Sequence, residues 1–454
     1  MTTAHATELE DALAQAYLNN PTLQAARAQL RQTDESVPQA LSGWRPTVIG
    51  SVQGGYNRIT PDNALSRQLL ERQNAVDSAR QSGFGARGGS LTTTPNSYGV
   101  TVSQPIFQGF KTVAGTRAAE KAVLAGRAQL EATEQTVLLQ AVTAYMNVVR
   151  DQEVVEVDRR NVEVLQQQLD YTRARFDAGL ATRTDVSEAE SRLARSVGEK
   201  IAAEGQLTLS RAQYQQVIGQ MPDQVHAPKL SLSLPQNESA AAALADQRPE
   251  LVAARHSAES AQENIDVAFG DLLPSLSIEG SYSRVADQRT RGTVEDEATV
   301  MGVLSVPLYQ AGAPDSRVRQ AKQRYSELLE RIEETRRQSV QQAIDAWRQY
   351  RAASASVESD RKQLESAQLA LEGVIEEQKV GQRTVLDIFD AEQEVRNAQV
   401  ALVTDQANVV IAAYYLQQTA GRLTAKQLAL KVPLYDPTKY YDKVRNKFWG
   451  WDTE

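Results

Sequence analysis

No cysteine occurs anywhere in the 454 residues. A disulfide framework and a catalytic or metal-binding thiolate are therefore excluded. The same absence fits an oxidising compartment and removes any lipid anchor carried on cysteine. Aromatic residues make up only 6% of the chain, and there are three histidines, His5, His226 and His256. The histidines are widely separated and lack metal-ligand spacing. No run approaches the roughly 18 apolar residues that a transmembrane helix needs. A membrane is not thereby excluded, because the strand of a barrel is only half apolar. Positive charge is in deficit, with 49 Lys and Arg against 57 Asp and Glu, so there is no basic field for nucleic acid. The start of the chain has no apolar signal core. It reads as a mature form with an added start methionine, the plainer alternative being a cytosolic protein that never had a signal.

What the chain does contain is a repeat. Val102-Ser-Gln-Pro-Ile-Phe-Gln108 matches Leu304-Ser-Val-Pro-Leu-Tyr-Gln310, and Gln140-Ala-Val-Thr-Ala-Tyr145 matches Gln342-Ala-Ile-Asp-Ala-Trp347. Asp185, Ala189 and Glu190 match Asp387, Ala391 and Glu392, all at an offset of 202. Earlier in the chain the offset is 228, pairing Pro21 with Pro249 and Pro46 with Pro274. The 26-residue difference is an insertion in the first copy, between Pro46 and Pro105. The boundaries expected are a first repeat over 1–219, a linker over 220–238, a second repeat over 239–421 and a tail over 422–454.

Residues 8–42 read as a helix that Pro21 breaks or restarts. At Pro46 the period changes to two. Val48, Val52 and Tyr56 alternate with Thr47, Ile49, Ser51 and Gln53, and Tyr98, Val100 and Val102 with Ser97, Thr101 and Ser103. Four strands are expected, over about 47–57, 97–105, 274–284 and 298–307, each with one apolar face and one small or polar face. Such strands suit a lipid-facing barrel wall around a wet lumen; the competing reading is a soluble sheet with one buried face. Between the first two strands lies an exposed loop holding Gly83-Phe-Gly85-Ala-Arg-Gly88. Its GxGxxG spacing is not a dinucleotide site, because no buried strand precedes it and no helix opens on it. The shorter loop of the second copy, about 285–298, holds Glu295, Asp296 and Glu297.

Two spans, 106–221 and 315–432, lack proline altogether. Their apolar residues recur at about 3.5-residue spacing, the coiled-coil period. Each predicts a long helical hairpin, over about 110–218 and 315–420, with an outgoing helix on the order of 100 Å long. The turns fall at Gly179-Leu180-Ala181-Thr182-Arg183-Thr184-Asp185-Val186 and at Gly381-Gln-Arg383-Thr384-Val-Leu-Asp387, continuing to Asp390. Gly179 and Gly381 stand where a helix end needs positive φ. Thr184-Asp185, and Asp387 in the copy, are expected to cap the returning helices.

Four strands cannot close a membrane barrel, since the smallest have about eight. An open edge in lipid leaves backbone groups unpaired. If the sheet is a membrane wall, the chain must oligomerise. Hairpins this long would extend far beyond the membrane as a second, water-exposed cylinder.

In order, spacing and motif, residues 8–421 resemble the TolC family of outer-membrane efflux and secretion channels. The resemblance implies a mainly α protein with a membrane β-barrel part: a homotrimer forming a twelve-stranded barrel continued by an α-helical tunnel through the periplasm. It implies residence in the outer membrane of a Gram-negative bacterium. The partners it implies are a periplasmic adaptor protein and an inner-membrane transporter, ABC or proton-driven. By that resemblance Gly179, Leu180, Ala181, Thr182 and Val186, with Gly381 and Thr384, belong to adaptor-docking tips. Asp387 and Asp390 would form carboxylate rings in a closed aperture, favouring cations and open to divalent block. Arg383 would link to Thr184 or Asp185 of a neighbouring hairpin and hold the aperture shut. Gln378 replaces the family's tyrosine at the second tip, so one closing hydrogen bond differs. The tail motifs Tyr435-Asp-Pro437, Tyr440-Tyr-Asp442 and Trp449-Gly450 resemble the type I secretion subgroup and favour export of unfolded protein over drug efflux. Read alone, Asp387 and Asp390 are more often a helix cap and a solvated surface charge, and Arg383 a surface residue; only the resemblance raises them to a gate. No catalytic constellation, metal site or cofactor site is expected, so the energy for transport would come from a partner. A soluble coiled-coil scaffold is the alternative of a different class.

Overall fold

The computed structural model describes residues 8–59, 64, 68, 71, 72, 75, 91–228, 230, 232–288 and 292–452. The Gly83–Gly88 stretch and His5 lie outside the described residues. In order, the elements are α1 (Leu9–Asn19), α2 (Pro21–Asp34), α3 (Ser36–Leu41), β1 (Thr47–Gly54), β2 (Asn57–Ile59), β3 (Leu91–Thr93), β4 (Asn96–Gln108), α4 (Lys111–Asp177) and α5 (Arg183–Ile218). There follow α6 (Glu238–Leu244), α7 (Pro249–Phe269), β5 (Ser275–Ala286), β6 (Val294–Ser305), α8 (Ala313–Lys379), α9 (Val385–Thr419) and α10 (Lys439–Val444). The chain packs as two units, one drawn from residues up to Asp34, Lys121–Ala258 and Glu327–Val444, the other from Glu35–Glu120, Glu259–Ser326 and Arg445–Glu454.

The second unit holds an antiparallel sheet in the order β1-β4-β5-β6. Its register lines up one face row by row: Val48, Val102, Gly280 and Val300, then Gly50, Val100, Tyr282 and Ala298. The opposite face presents Ser51, Gly99, Ser283 and Glu297 in one row. The apolar face is open to solvent, with Val52 85% and Val300 79% exposed. Keeping such side chains in water forgoes roughly 1.5–3 kcal/mol each relative to burial. Among the described residues, β1 and β6 are the unpaired edges of this sheet.

Strand boundaries differ from expectation: β1 ends at Gly54 and not near 57, and the largest differences are in β4 and β6. β4 runs on through Pro105, which has no N–H to donate; a register shift between Pro105 and Phe107 accommodates it. β6 starts at Val294, so the acidic residues assigned to a loop belong to the strand. A cross-strand pair explains this. Asp296 lies opposite Arg284, 3.7 Å from its Nε, and accepts a 3.2 Å hydrogen bond from Tyr282 Oη. The large loop also contributes a short ribbon, β2 with β3, that the sequence pattern did not show.

The chain leaves the sheet for the long helices through two corners of the same construction. Gly109-Phe110 and Ala311-Gly312, again 202 apart, each place two consecutive residues at positive φ (58° and 62°, 53° and 75°). Gly109 is the tighter corner, since a Cβ there would stand 2.5 Å from the Gly270 carbonyl oxygen. Asp271 joins both copies at this level, pairing with Lys111 and, at 2.6 Å, with Arg317.

The other unit has its core around the middle of α4. Val137, Leu138, Ala141, Val142, Tyr145, Met146 and Val148 are buried along one broad face of that helix, while Thr136 and Gln140 on the opposite side are exposed, as expected of a helix packed through an apolar face. α1 contributes Leu9, Leu13 and Tyr17, and α5 contributes Tyr214 and Ile218. Tyr145 Oη donates to the His226 carbonyl at 2.9 Å. The segment after α9 packs onto this core through Leu423, Ala425 and Leu430. It is held by Tyr435 N–H donating to Tyr17 Oη at 2.9 Å, with the Arg27 guanidinium over both tyrosine rings.

Candidate functional site

Each long hairpin turns through the same hydrogen-bonded device. At the end of α4, Gly179 (φ 74°) donates to Phe176 O at 2.9 Å and Leu180 to Arg175 O at 2.8 Å. At the end of α8, Gly381 (φ 79°) donates to Gln378 O at 3.0 Å and Gln382 to Glu377 O at 2.9 Å. These are paired Schellman closures, which satisfy the last carbonyls of each helix. Nothing lies within 4 Å of a Cβ built on either glycine, so positive φ alone accounts for the residue type.

The returning helices start on capping boxes, and here the expected caps are corrected. The N-caps are Thr182 and Thr384, while Asp185 and Asp387 sit at N3 and reach back. Thr184 lies inside the first turn of α5. The reason is geometric: the capping oxygen must precede the N3 amide by three residues, a spacing that Thr182 meets and Thr184 does not. Asp185 N–H donates to Thr182 Oγ1 at 3.2 Å, and Thr182 N–H to Asp185 Oδ2 at 2.8 Å. The second tip repeats this, with Asp387 N–H to Thr384 Oγ1 at 3.3 Å and Thr384 N–H to Asp387 Oδ2 at 2.8 Å. The backbone and hydroxyl of Thr182 hold the Asp185 carboxyl below its usual range, and those of Thr384 do the same for Asp387.

Behind the caps, α4, α5 and α9 enclose a small core of Leu165, Leu169, Ala189 and Phe389, with Val186 and Val385 packed against it. Val186, grouped above with the docking residues, thus lies half in this core, whereas Gly179, Leu180, Thr182, Gly381 and Thr384 are exposed and Ala181 is half-buried. Asp390 is 64% exposed and is bound by Arg192 of α5 at 3.0 Å. Arg192 also holds Glu188 at 3.1 Å. Arg383 pairs within its own hairpin, with Glu377 at 2.8 Å and Asp387 at 3.8 Å. One layer further from the tip, Arg396 of α9 binds the buried Asp158 of α4 at 2.7 Å and Glu199 of α5 at 3.6 Å.

Three participants escaped the sequence reading: Arg192, Arg396 and Glu392. The signals available were thin. Arg192 and Arg396 have no counterpart at the repeat offset, where Glu394 and Ala194 stand. Such departures from the repeat mark where one copy reaches across to the other. Glu392 lines a crevice with Asn161, Arg195 and Phe389. Its Oε2 has no hydrogen-bond partner, and burial pushes its carboxyl up to about 7.

The arrangement offers exposed carboxylates on stiff turns, tied by arginines that bridge helices. It contains groups that can attract or clamp. The chain thus combines an open four-stranded sheet with duplicated helical hairpins. The family model described as "Outer membrane efflux protein" matches residues 12–220 and 241–422. The chain is 35% identical to the outer membrane efflux protein BepC of Brucella suis, over 97% of this chain and 91% of that one. It is 27% identical to the outer membrane protein TolC of Vibrio cholerae, over 91% and 90%. A more distant relative, at 22% over 73% of this chain and 70% of its own, is the alkaline protease secretion protein AprF of Pseudomonas aeruginosa. The solved Campylobacter jejuni CmeC outer membrane channel superposes with a TM-score of 0.78 at 16% identity, covering 96% of this chain and 89% of that one, and so shares the fold. The chain belongs to the outer membrane efflux protein family, the TolC-type channels, and its place is the outer membrane of a Gram-negative bacterium.

Proposed function

We propose that this chain is the exit duct of a tripartite export system: a passive, gated channel, and not an enzyme. TolC-family channels work as trimers with adaptor proteins and inner-membrane pumps. The observation that carries the reading here is the open sheet. Two unpaired edges and an exposed apolar face need both partners and lipid. Three copies would supply a twelve-stranded closed barrel. The hairpins would continue it as a helical tunnel and meet the adaptor at Gly179–Thr182, Val186, Gly381 and Thr384. Asp387 and Asp390 would ring the aperture, select cations and accept divalent blockers. Arg383, linked to Thr184 or Asp185 of a neighbouring hairpin, would help keep it closed.

The cargo we infer is unfolded protein leaving by type I secretion. The tail residues Tyr435-Asp-Pro437 and Trp449-Gly450 support this, as does the likeness to a protease secretion protein. Multidrug efflux is the second reading, to which the likeness to an efflux protein, BepC, lends support for efflux as such. A deletion strain separates them: secretion is lost for one protein in the first case, and broad drug sensitivity follows in the second.

The channel is tested by conductance across a planar bilayer. The purified protein is expected to give small, cation-selective currents that divalent ions block. Asp387→Asn with Asp390→Asn should abolish selectivity and block. Currents unchanged by the pair would move the constriction elsewhere. Folded protein that gives no current would overturn the channel reading.

A further inference from the structure

The segment that follows α10 ends in Phe448-Trp449-Gly450-Trp451, and its two indoles are 92% and 99% exposed. Half of the chain's four tryptophans are thus held in solvent. The segment is nevertheless built. Arg45 donates to the Lys447 carbonyl at 2.8 Å and lies 4.4 Å over the Phe448 ring. Lys447 Nζ bonds both the carbonyl and the carboxylate of Asp452 at 2.9 Å, closing a loop around Gly450 at φ 111°. A side chain on Gly450 would meet that carboxylate at 2.9 Å. The backbone is fixed, and the tryptophans are what it displays.

Its position identifies the occupant. Arg45 stands two residues before β1, the strand that carries Val48 and Val52 on the open apolar face. The same end of the sheet presents other exposed apolar groups: Trp44 before β1, Phe110 after β4, and Leu308 and Tyr309 after β6. Indole combines a large apolar ring with one N–H donor and partitions to the boundary between acyl chains and water. We propose that Phe448–Trp451 is an interfacial anchor, with Trp449 and Trp451 lying in the phospholipid headgroup zone at the helix-side rim of the sheet. The proposal rests on the membrane reading of that sheet.

The test uses full-length protein in phosphatidylethanolamine–phosphatidylglycerol vesicles with brominated lipids. In one form, Trp44→Phe and Trp347→Phe leave only the two tail tryptophans. A second form replaces all four tryptophans by phenylalanine and adds Val300→Trp as a strand reporter. The tail form should emit to the blue of its value in water, resist aqueous iodide, and be quenched several-fold more by shallow than by deep bromines. The strand reporter should show the reverse depth preference. Tail emission at the water value with full iodide quenching, beside a quenched strand reporter, would overturn the anchor and leave the barrel standing. If neither is quenched by lipid, the barrel reading fails as well. If protection from iodide comes only with added periplasmic adaptor, the occupant is a protein and the proposal fails.

Discussion

Arg192 of α5 holds Asp390 of α9 at 3.0 Å, so a residue of the first hairpin clamps the acidic rim of the second. Asp390 is mostly exposed and Arg192 mostly buried. A pair of this kind contributes at most about 1 kcal/mol to global stability. Its consequence is local. Arg192→Ala should raise single-channel conductance severalfold while shifting overall stability by less than about 1 kcal/mol. Cation selectivity should persist, because the carboxylates remain. The exchanged pair, Arg192→Asp with Asp390→Arg, should return conductance toward the original value in the same bilayer recordings.

The two capping boxes predict a defined loss at each tip. Thr182→Ala removes the acceptor for the Asp185 amide and should cost about 1 kcal/mol in the first turn of α5. Hydrogen exchange should quicken across Thr182–Val186 and stay unchanged in the α4 core. The caps also set an acid limit. Asp185 and Asp387 are depressed in the folded state, so their contribution is fully present above the ordinary aspartate value. It disappears as pH falls through the lower, folded value. Tip protection should therefore survive mild acid and collapse only below the usual carboxylate range.

Glu392 carries the opposite sign. Burial raises its carboxyl to about 7, so the folded protein keeps a proton that the unfolded chain releases near 4.5. Stability must then fall as pH rises between those two values. Glu392→Gln removes the cost of charging this site. The variant should match the parent at pH 4 and exceed it at pH 8, by up to about 3 kcal/mol. Denaturation curves across pH give the comparison, and a difference that does not vary with pH would rule out this account of Glu392.

The corners between sheet and helix should respond unequally to the same change. Gly109 and Gly312 both have positive φ, which costs alanine about 1 kcal/mol. Only at Gly109 does the new methyl group also meet a backbone carbonyl, that of Gly270. Gly312→Ala should lower the melting temperature slightly. Gly109→Ala should cost well over twice as much and reduce the yield of heat-resistant oligomer on unboiled gels.

Much of this was legible in the sequence because the chain states it twice. The four strands were placed by their period of two and the helical spans by their 3.5-residue spacing, and the repeat offset set each of them, with the two helix-ending glycines, beside a counterpart. What was misread has both longer-range and local causes. Arg284 draws Asp296 into β6, although three consecutive acidic residues read as a loop. Thr184 looked like the cap because it adjoins Asp185, but the N-cap oxygen stands one residue before the helix begins. Arg192 and Arg396 were missed because they act between copies, where the repeat carries no signal.

The twin turns hold one consequence for stoichiometry. Gly179 and Gly381 close their helices with the same bonds, and Thr182 and Thr384 open the next with the same boxes. Their flanks differ, Leu180-Ala181 in one and Gln382-Arg383 in the other. A threefold assembly would set these alternately around a ring, alike in backbone and unlike in chemistry. A partner that gripped the backbone could occupy every turn. One that read side chains would find only every second turn, and would have to arrive in half the number or in two poses.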